Sequence, residues 1–445
     1  MCRRFGSPTN YGLCLFLGFL MSAADGAPSS LAPAAVPHEP GTCGALDGTA
    51  GGGNAPAMAA TADRLAQGPV DRTRLPFLDH RQTTLDYHGW DEELVGLTEC
   101  RIGWFGPTNL NDPLTGDLWW SATFAVEQAN SELRSPNPEL LPFRLVSRWS
   151  ETVWGTGVSQ LTRMVYEEKP LALIGSVDSA STHLAEQVVA KANLPLVSPI
   201  ATDPSVTLAG VPWVFSCAPS DTAVAWVLVE DVLRTLASLG RGSDGVRAPP
   251  SDTAMDRPAS AGPERGRGPR VALLTATDHE SRMTARALLR EFARHRQAPD
   301  FRFDIQPGAQ DVSRPLAALA VAQPIVILIV AGVEDAARWL RAIRQSLPEP
   351  SASSMAMDSS DPSPGRESDW PGPVVFGTHS MGRTRFRELA GPASEGVRFP
   401  LPCPGAVADA RATRFVEAFV AARGHPPDWA AMLTYDATRL LIEGI

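Results

Sequence analysis

Between residues 176 and 182 the chain gathers hydroxyls and a carboxylate: Ser176, Asp178, Ser179, Ser181 and Thr182. They follow a short apolar run, Leu171 to Ile174, that ends in Gly175, and they precede an amphipathic segment. Side chains of this kind ahead of a helix accept hydrogen bonds from its unpaired N–H groups. The same N–H groups, with the helix dipole behind them, also favour an anion. Local chemistry leaves capping and anion binding both open. Catalysis finds less support. Ser179, His379 and Asp178 follow no Gly-x-Ser-x-Gly elbow, and the chain holds no phosphate loop and no metal-spaced His/Glu set, so no turnover, cofactor or metal is expected. The six cysteines lack any Cys-x-x-Cys spacing, which argues against zinc at a thiolate site.

The elements that must position this turn are legible around it. Leu171 to Ile174 is an unbroken apolar run, as a parallel strand buried on both faces requires. From Ser181 onward Leu184, Ala185, Val188, Val189 and Ala192 recur at spacings of three and four, which makes one helical face apolar. Asn193 stops that helix, and a second apolar run ends at Ser198-Pro199. The same alternation precedes this unit: a strand over Cys100–Phe105, a helical face of Trp119, Ala122, Val126 and Ala129, a strand over Phe143–Val146 and a helix over Val158–Tyr166. It continues as a strand over Val211–Ala218 and a helix over Ala223–Leu239. A second series begins with a strand at Val271–Leu274 and a helix at Met283–His295. Strands at Phe301–Ile305, Ile325–Val330 and Val374–Gly377 follow, separated by helices at Ser313–Ala322 and Glu334–Gln345. Two such series predict an α/β chain with two doubly wound parallel sheets, whose ligands bind beyond the carboxyl ends of the strands. Gly240–Arg270 and Ser351–Gly372, rich in Gly, Pro, Ser and Arg, read as flexible insertions.

A formal net charge of -10 gives no concentrated basic surface for nucleic acid. Arg3 and Arg4, the apolar run Leu13–Met21 and the small residues to Ala27 have the order of a secretory leader, so residues 1–27 are expected to be a signal peptide. The apolar run is short for a membrane span; an uncleaved anchor is the alternative. Export to the periplasm or the exterior follows, with residues 28–98 a disordered or extended N-terminal segment. Cys43, Cys100, Cys217 and Cys403 would remain after cleavage. A disulfide among them and isolated buried thiols are both compatible with the sequence.

Three pieces, in their order and spacing, resemble a known family. They are Ile174-Gly175-x-x-x-Ser179-x-Ser181-Thr182, then Leu194-Pro195-Leu196-Val197-Ser198-Pro199-x-Ala201-Thr202-x-Pro204, then Phe215-x-x-x-Pro219-Ser220-Asp221. The family is the branched-chain amino-acid class of periplasmic substrate-binding proteins of ABC transporters, and the resemblance runs from Arg101 to about Ile445, including Thr434-Tyr435-Asp436-Ala437. It implies two Rossmann-like lobes joined by three crossing segments, a hinge, and a small polar ligand (amino acid, amide or carboxylate) held between them. Residues 99–221 and 401–445 would form lobe 1 and residues 222–400 lobe 2. Asp221 would begin the first crossing, Val397–Pro400 would be the second, and the third is expected beyond the helix of Tyr435. The resemblance places Ser179 on the ligand carboxylate, with Ile200 and Thr202 beside it and Ser181 in the same turn. In lobe 2 it places the family's tyrosine near His279-Glu280, and the acidic residue that holds the ligand ammonium on His379. A neutral histidine cannot supply that charge, and Glu280 is the candidate to compensate. The implied partner is the membrane permease of an ABC transporter, and the implied form a monomer. A ligand-sensing module signalling to a membrane receptor or kinase is the alternative function.

Overall fold

The computed structural model describes residues 2–4, 96–208, 210–240, 270–348, 370, 372–402 and 410–445. Most of both expected insertions, and most of the expected leader and N-terminal segment, lie outside the described residues, as do Cys43 and Cys403. Cys100 and Cys217 are free thiols.

Strands are numbered β1 (Cys2–Arg4), β2 (Cys100–Phe105), β3 (Phe143–Ser147), β4 (Ala172–Gly175), β5 (Leu196–Ser198), β6 (Val214–Ser216), β7 (Val271–Ala276), β8 (Phe301–Ile305), β9 (Val326–Val330), β10 (Val374–Gly377) and β11 (Arg398–Pro400). The helices are α1 (Gly116–Arg134), α2 (Val158–Arg163), α3 (Ser179–Ala192), α4 (Ser205–Leu208), α5 (Asp221–Gly240), α6 (His279–Arg294), α7 (Ser313–Ala322), α8 (Val333–Ser346), α9 (Thr384–Ala390), α10 (Ala410–Arg423) and α11 (Trp429–Gly444). Two sheets result, one per lobe. The lobe 1 sheet has the order β3-β2-β4-β5-β6 and is parallel throughout. The lobe 2 sheet has the order β8-β7-β9-β10-β11, also parallel, with β1 added antiparallel at its β11 edge.

Apolar content follows strand position. β4, β7 and β9, central in their sheets, are buried at every residue. The edge strand β8 alternates, with Arg302 and Asp304 exposed. Central strands lie between two helical layers and need apolar side chains on both faces, whereas an edge strand does not. One face of the lobe 1 sheet packs on Leu184, Ala185 and Val189 of α3. Its other face packs on α1 and on Trp429, Ala437, Leu441 and Ile442 of α11. In lobe 2, α5 and α6 cover one face and α7, α8 and α9 the other.

Three elements differ from their sequence outlines. The strand at Val211–Ala218 shrinks to Val214–Ser216, because Pro212 and Trp213 form a turn that Val214 N–H closes onto Val211 O at 3.1 Å. The helix expected over Val158–Tyr166 is α-helical only to Arg163 and carries wider π-type turns on both sides. The helix expected from Met283 starts four residues earlier, at His279. There the Asp278 carboxylate accepts the Ser281 N–H at 2.9 Å and caps the first turn. That last change turns His279 and Glu280 from loop residues into first-turn residues of α6.

Candidate functional site

Both sheets run, in chain order within each lobe, second-first-third-fourth-fifth. Such a sheet reverses direction between its first and third strands, and the crevice beyond their carboxyl ends is where ligands bind. In lobe 1 this point lies beyond β2 and β4, so the turn of residues 176–178 and the start of α3 line it. In lobe 2 it lies beyond β7 and β9, where Asp278 and the start of α6 stand. Two helix N-termini are thereby brought together.

The turn after β4 is built tightly. Gly175 has φ +149°, and a Cβ there would stand 2.8 Å from Phe105 O, so a side chain has neither the backbone angle nor the room. Asp178 caps α3: its Oδ1 accepts the Ser181 N–H at 2.7 Å and the Ser181 hydroxyl at 2.5 Å. Thr182 Oγ1 donates to Asp178 O at 2.7 Å and accepts the Ser176 N–H at 3.0 Å. Ser181 is fully committed to the cap. Ser179 Oγ accepts the N–H groups of Thr202 and Asp203, each at 3.3 Å, and so fixes the loop after β5 against α3. Ile200 has its side chain in the lobe 1 core.

Across the crevice the Ser179 N–H donates to Glu280 Oε1 at 2.7 Å. A carboxylate from lobe 2 thus sits at the N-terminus of the lobe 1 helix. Glu280 is an exposed residue, yet the protein crowding its carboxyl group and the negative charge of Asp178 push its pKa up to about 7. Asp221, at the start of α5, accepts the Thr284 hydroxyl at 3.0 Å. Burial, with the charge of Asp203 added, pushes its pKa up to about 7 as well.

Asp203, 4 % exposed, is the centre of a second cluster. Its Oδ1 accepts the Ser205 N–H at 2.9 Å and the Ser205 hydroxyl at 2.7 Å. Its Oδ2 lies 3.5 Å from His183 Nε2 and 3.3 Å from His279 Nε2. Burial opposes ionisation of Asp203, but the bonds from His183 and Ser205 outweigh it and hold the carboxyl far below the usual carboxylate range. Asp203 and then Glu186 raise the His183 pKa to about 9.

His379 does not join either group. Its ring meets Trp429 edge-on at 5.4 Å, and its backbone carbonyl accepts the Trp429 indole N–H at 3.0 Å. Burial, then the nearby Arg383 guanidinium, lowers its pKa to about 4, and its Nδ1 is buried without a hydrogen-bond partner among the described residues. The structure therefore gathers Ser179, Thr202, His279 and Glu280 and sets His379 apart. Sequence reasoning passed over Asp203, which occupies the variable position between Thr202 and Pro204, and His183, which reads as one more residue of α3.

A family profile described as periplasmic binding protein matches residues 113–362. No curated protein is similar to the chain in sequence. Solved structures share its fold. A leucine-binding protein from Thermotoga maritima is 19% identical, with a TM-score of 0.55 over 78% of this chain and 82% of that one. A branched-chain amino acid transporter substrate-binding protein from Streptococcus pneumoniae, in complex with isoleucine, is 16% identical, with a TM-score of 0.54 over 78% and 83%. A solute-binding protein of an ABC transporter from R. palustris, in complex with benzoate, is 16% identical, with a TM-score of 0.54 over 77% and 79%.

Proposed function

The chain belongs to the periplasmic binding protein family, and from that premise we propose that it captures a small carboxylate-bearing ligand between its lobes, outside the cytoplasmic membrane, and delivers it to an ABC-transporter permease. It binds its ligand and does not transform it. One observation carries the ligand class: the Ser179 N–H, at the N-terminus of α3, already holds a carboxylate, that of Glu280, at 2.7 Å. Leucine, isoleucine and benzoate, named for the similar structures, share that group. The proposed lobes are residues 99–221 with 401–445, and residues 222–400.

In this reading the incoming carboxylate displaces Glu280 from Ser179, with Thr202 and the Ile200 backbone beside it. Glu280, freed, turns to a ligand ammonium where there is one. Asp178 and Asp221, the two charges that raise its pKa, favour a cation in the same place. His379, held neutral, offers a hydrogen bond and no charge. Closure then draws contacts from both lobes and shifts the population toward the closed state.

The test is a thermal-shift screen of leucine, isoleucine, benzoate and matching amides, because a ligand of the folded state alone raises the melting point. Carboxylates are expected to raise it and their amides not. In Glu280→Ala, benzoate is expected to bind about tenfold tighter, since a charged hydrogen bond no longer competes for Ser179, and amino acids about tenfold weaker. Equal shifts for carboxylates and amides, or no change on Glu280→Ala, would sink this reading.

A further inference from the structure

Three side chains from separate parts of the chain converge beside the ligand crevice: His183 on α3, Asp203 in the loop after β5, and His279 at the start of α6 in lobe 2. One donor atom from each lies within 4.8 Å of those of the other two. We propose that they form a site for a divalent transition-metal ion of the zinc class, which fastens lobe 2 to lobe 1.

The spacing suits such an ion. Zinc binds imidazole nitrogen and carboxylate oxygen at about 2.0–2.1 Å, so neighbouring ligands of a tetrahedral site stand about 3.3 Å apart. Asp203 Oδ2 lies 3.5 Å from His183 Nε2 and 3.3 Å from His279 Nε2. The donor set selects among metals: two imidazoles and one carboxylate suit zinc, nickel or copper, whereas magnesium and calcium demand oxygen. A carboxylate also stands behind one ligand. His183 Nδ1 lies 3.2 Å from Glu186 Oε2 and its Nε2 lies 2.8 Å from Ser205 Oγ, so metal binding exchanges the Ser205 hydrogen bond for the ion while Nδ1 keeps its proton on Glu186. Carboxylates in this position orient metal-ligating histidines and raise their basicity. Glu186 is 6 % exposed, and its other oxygen has no partner among the described residues. Such a carboxylate gains most from a dication nearby.

The functional consequence lies in which lobe gives which ligand. His183 and Asp203 belong to the lobe 1 fold, and His279 opens the first helix of the lobe 2 sheet. Only a closed arrangement offers the three donors together, so bound metal stabilises closure independently of any organic ligand.

The test is calorimetric titration of the chelator-stripped, untagged full chain with zinc chloride and no organic ligand, with magnesium and calcium chlorides as controls. Zinc is expected to bind one to one, and the controls not to bind. Glu186→Gln is expected to weaken zinc binding about tenfold, and His183→Ala and His279→Ala by more than that. The His279 side chain is 52% exposed, so its variant is expected to fold. Small-angle scattering should show zinc reducing the radius of gyration of the wild type and not of His279→Ala. Absence of zinc binding, or binding unchanged in His279→Ala, overturns the proposal. The ligand reading stands or falls separately, on the thermal-shift screen run with chelator present.

Discussion

An Asp428→Ala variant is expected to lose on the order of 3–5 kcal/mol of stability, read as a lowered urea midpoint. Asp428 is 6 % exposed and serves both lobes. Its Oδ1 caps α11 through the N–H groups of Ala430 and Ala431, at 3.1 and 3.0 Å. Its Oδ2 accepts Arg383 Nε at 2.8 Å and the Thr384 N–H at 3.1 Å, at the start of α9. The Arg383 side chain is 11% exposed, so truncation of Asp428 leaves a buried guanidinium whose remaining hydrogen-bond partner among the described residues is the Leu114 carbonyl, with the Asp112 carboxylate acting on it at longer range. An unpaired buried charge is the costly part, and loss of the cap adds about 1 kcal/mol. Asp428→Asn keeps the cap and is expected to cost less. Burial opposes ionisation of Asp428, but Arg383 and the N–H donors outweigh it and hold its pKa below the usual carboxylate range. Its contribution is therefore present above the unfolded carboxylate pKa of about 3.9 and is lost as pH falls through the lower folded value. A midpoint within experimental error of the wild type at pH 7 would show that this link carries little.

Asp221→Asn is expected to do the opposite, stabilising the protein at pH 8 by on the order of 2–4 kcal/mol and leaving it unchanged at pH 4. Asp221 is 2 % exposed, and burial together with Asp203 raises its pKa to about 7 despite hydrogen bonds from Thr202 and Thr284. A raised acid costs nothing below its unfolded pKa, where both states are protonated. The cost grows as pH rises from about 4 to 7 and is constant above. Asparagine keeps an oxygen for the Thr284 hydroxyl and carries no charge. Urea unfolding of both proteins between pH 4 and 8 should show the difference opening with pH. A constant difference would mean that Asp221 is not titrating as its surroundings dictate.

How much the sequence told depends on the kind of interaction. The runs Leu171–Ile174 and Ile325–Val330 are apolar because the strands are covered on both faces, and that requirement leaves a mark any reader can find. The cap at Asp178 was equally plain, with the carboxylate three residues before Ser181. The same spacing at Asp278 and Ser281 marks the true start of α6, four residues before its apolar periodicity begins at Met283, which is why that periodicity alone gives no helical place to His279 and Glu280. The elements α9 and α10 have no outline in the sequence: α9 is short, and α10 is weakly periodic, with its Phe415 and Phe419 packed on other helices. The ionic cluster left no local trace. His279 and Asp203 are 76 residues apart, and only the meeting of two lobes brings them to 3.3 Å. A residue read as variable between Thr202 and Pro204 is, in three dimensions, the most connected carboxylate of the crevice. Conversely, Ser181, a candidate for the ligand, spends both its polar groups on Asp178.

The helix α11 has a consequence for the order in which the chain can assemble. Apart from the added edge strand β1, lobe 2 takes its sheet, β7 to β11, and both its helical layers from one continuous stretch. Lobe 1 does not: one face of β2, β4 and β5 is covered by α1 only in part until Trp429, Ala437, Leu441 and Ile442 of α11 join it from beyond lobe 2 in the sequence. A nascent chain lacking α11 therefore exposes an apolar sheet face, which is a surface that chaperones hold and proteases exploit. Lobe 1, whose strands precede those of lobe 2, is covered only after α11 has followed lobe 2, and the ligand crevice, which needs both lobes, waits for that helix.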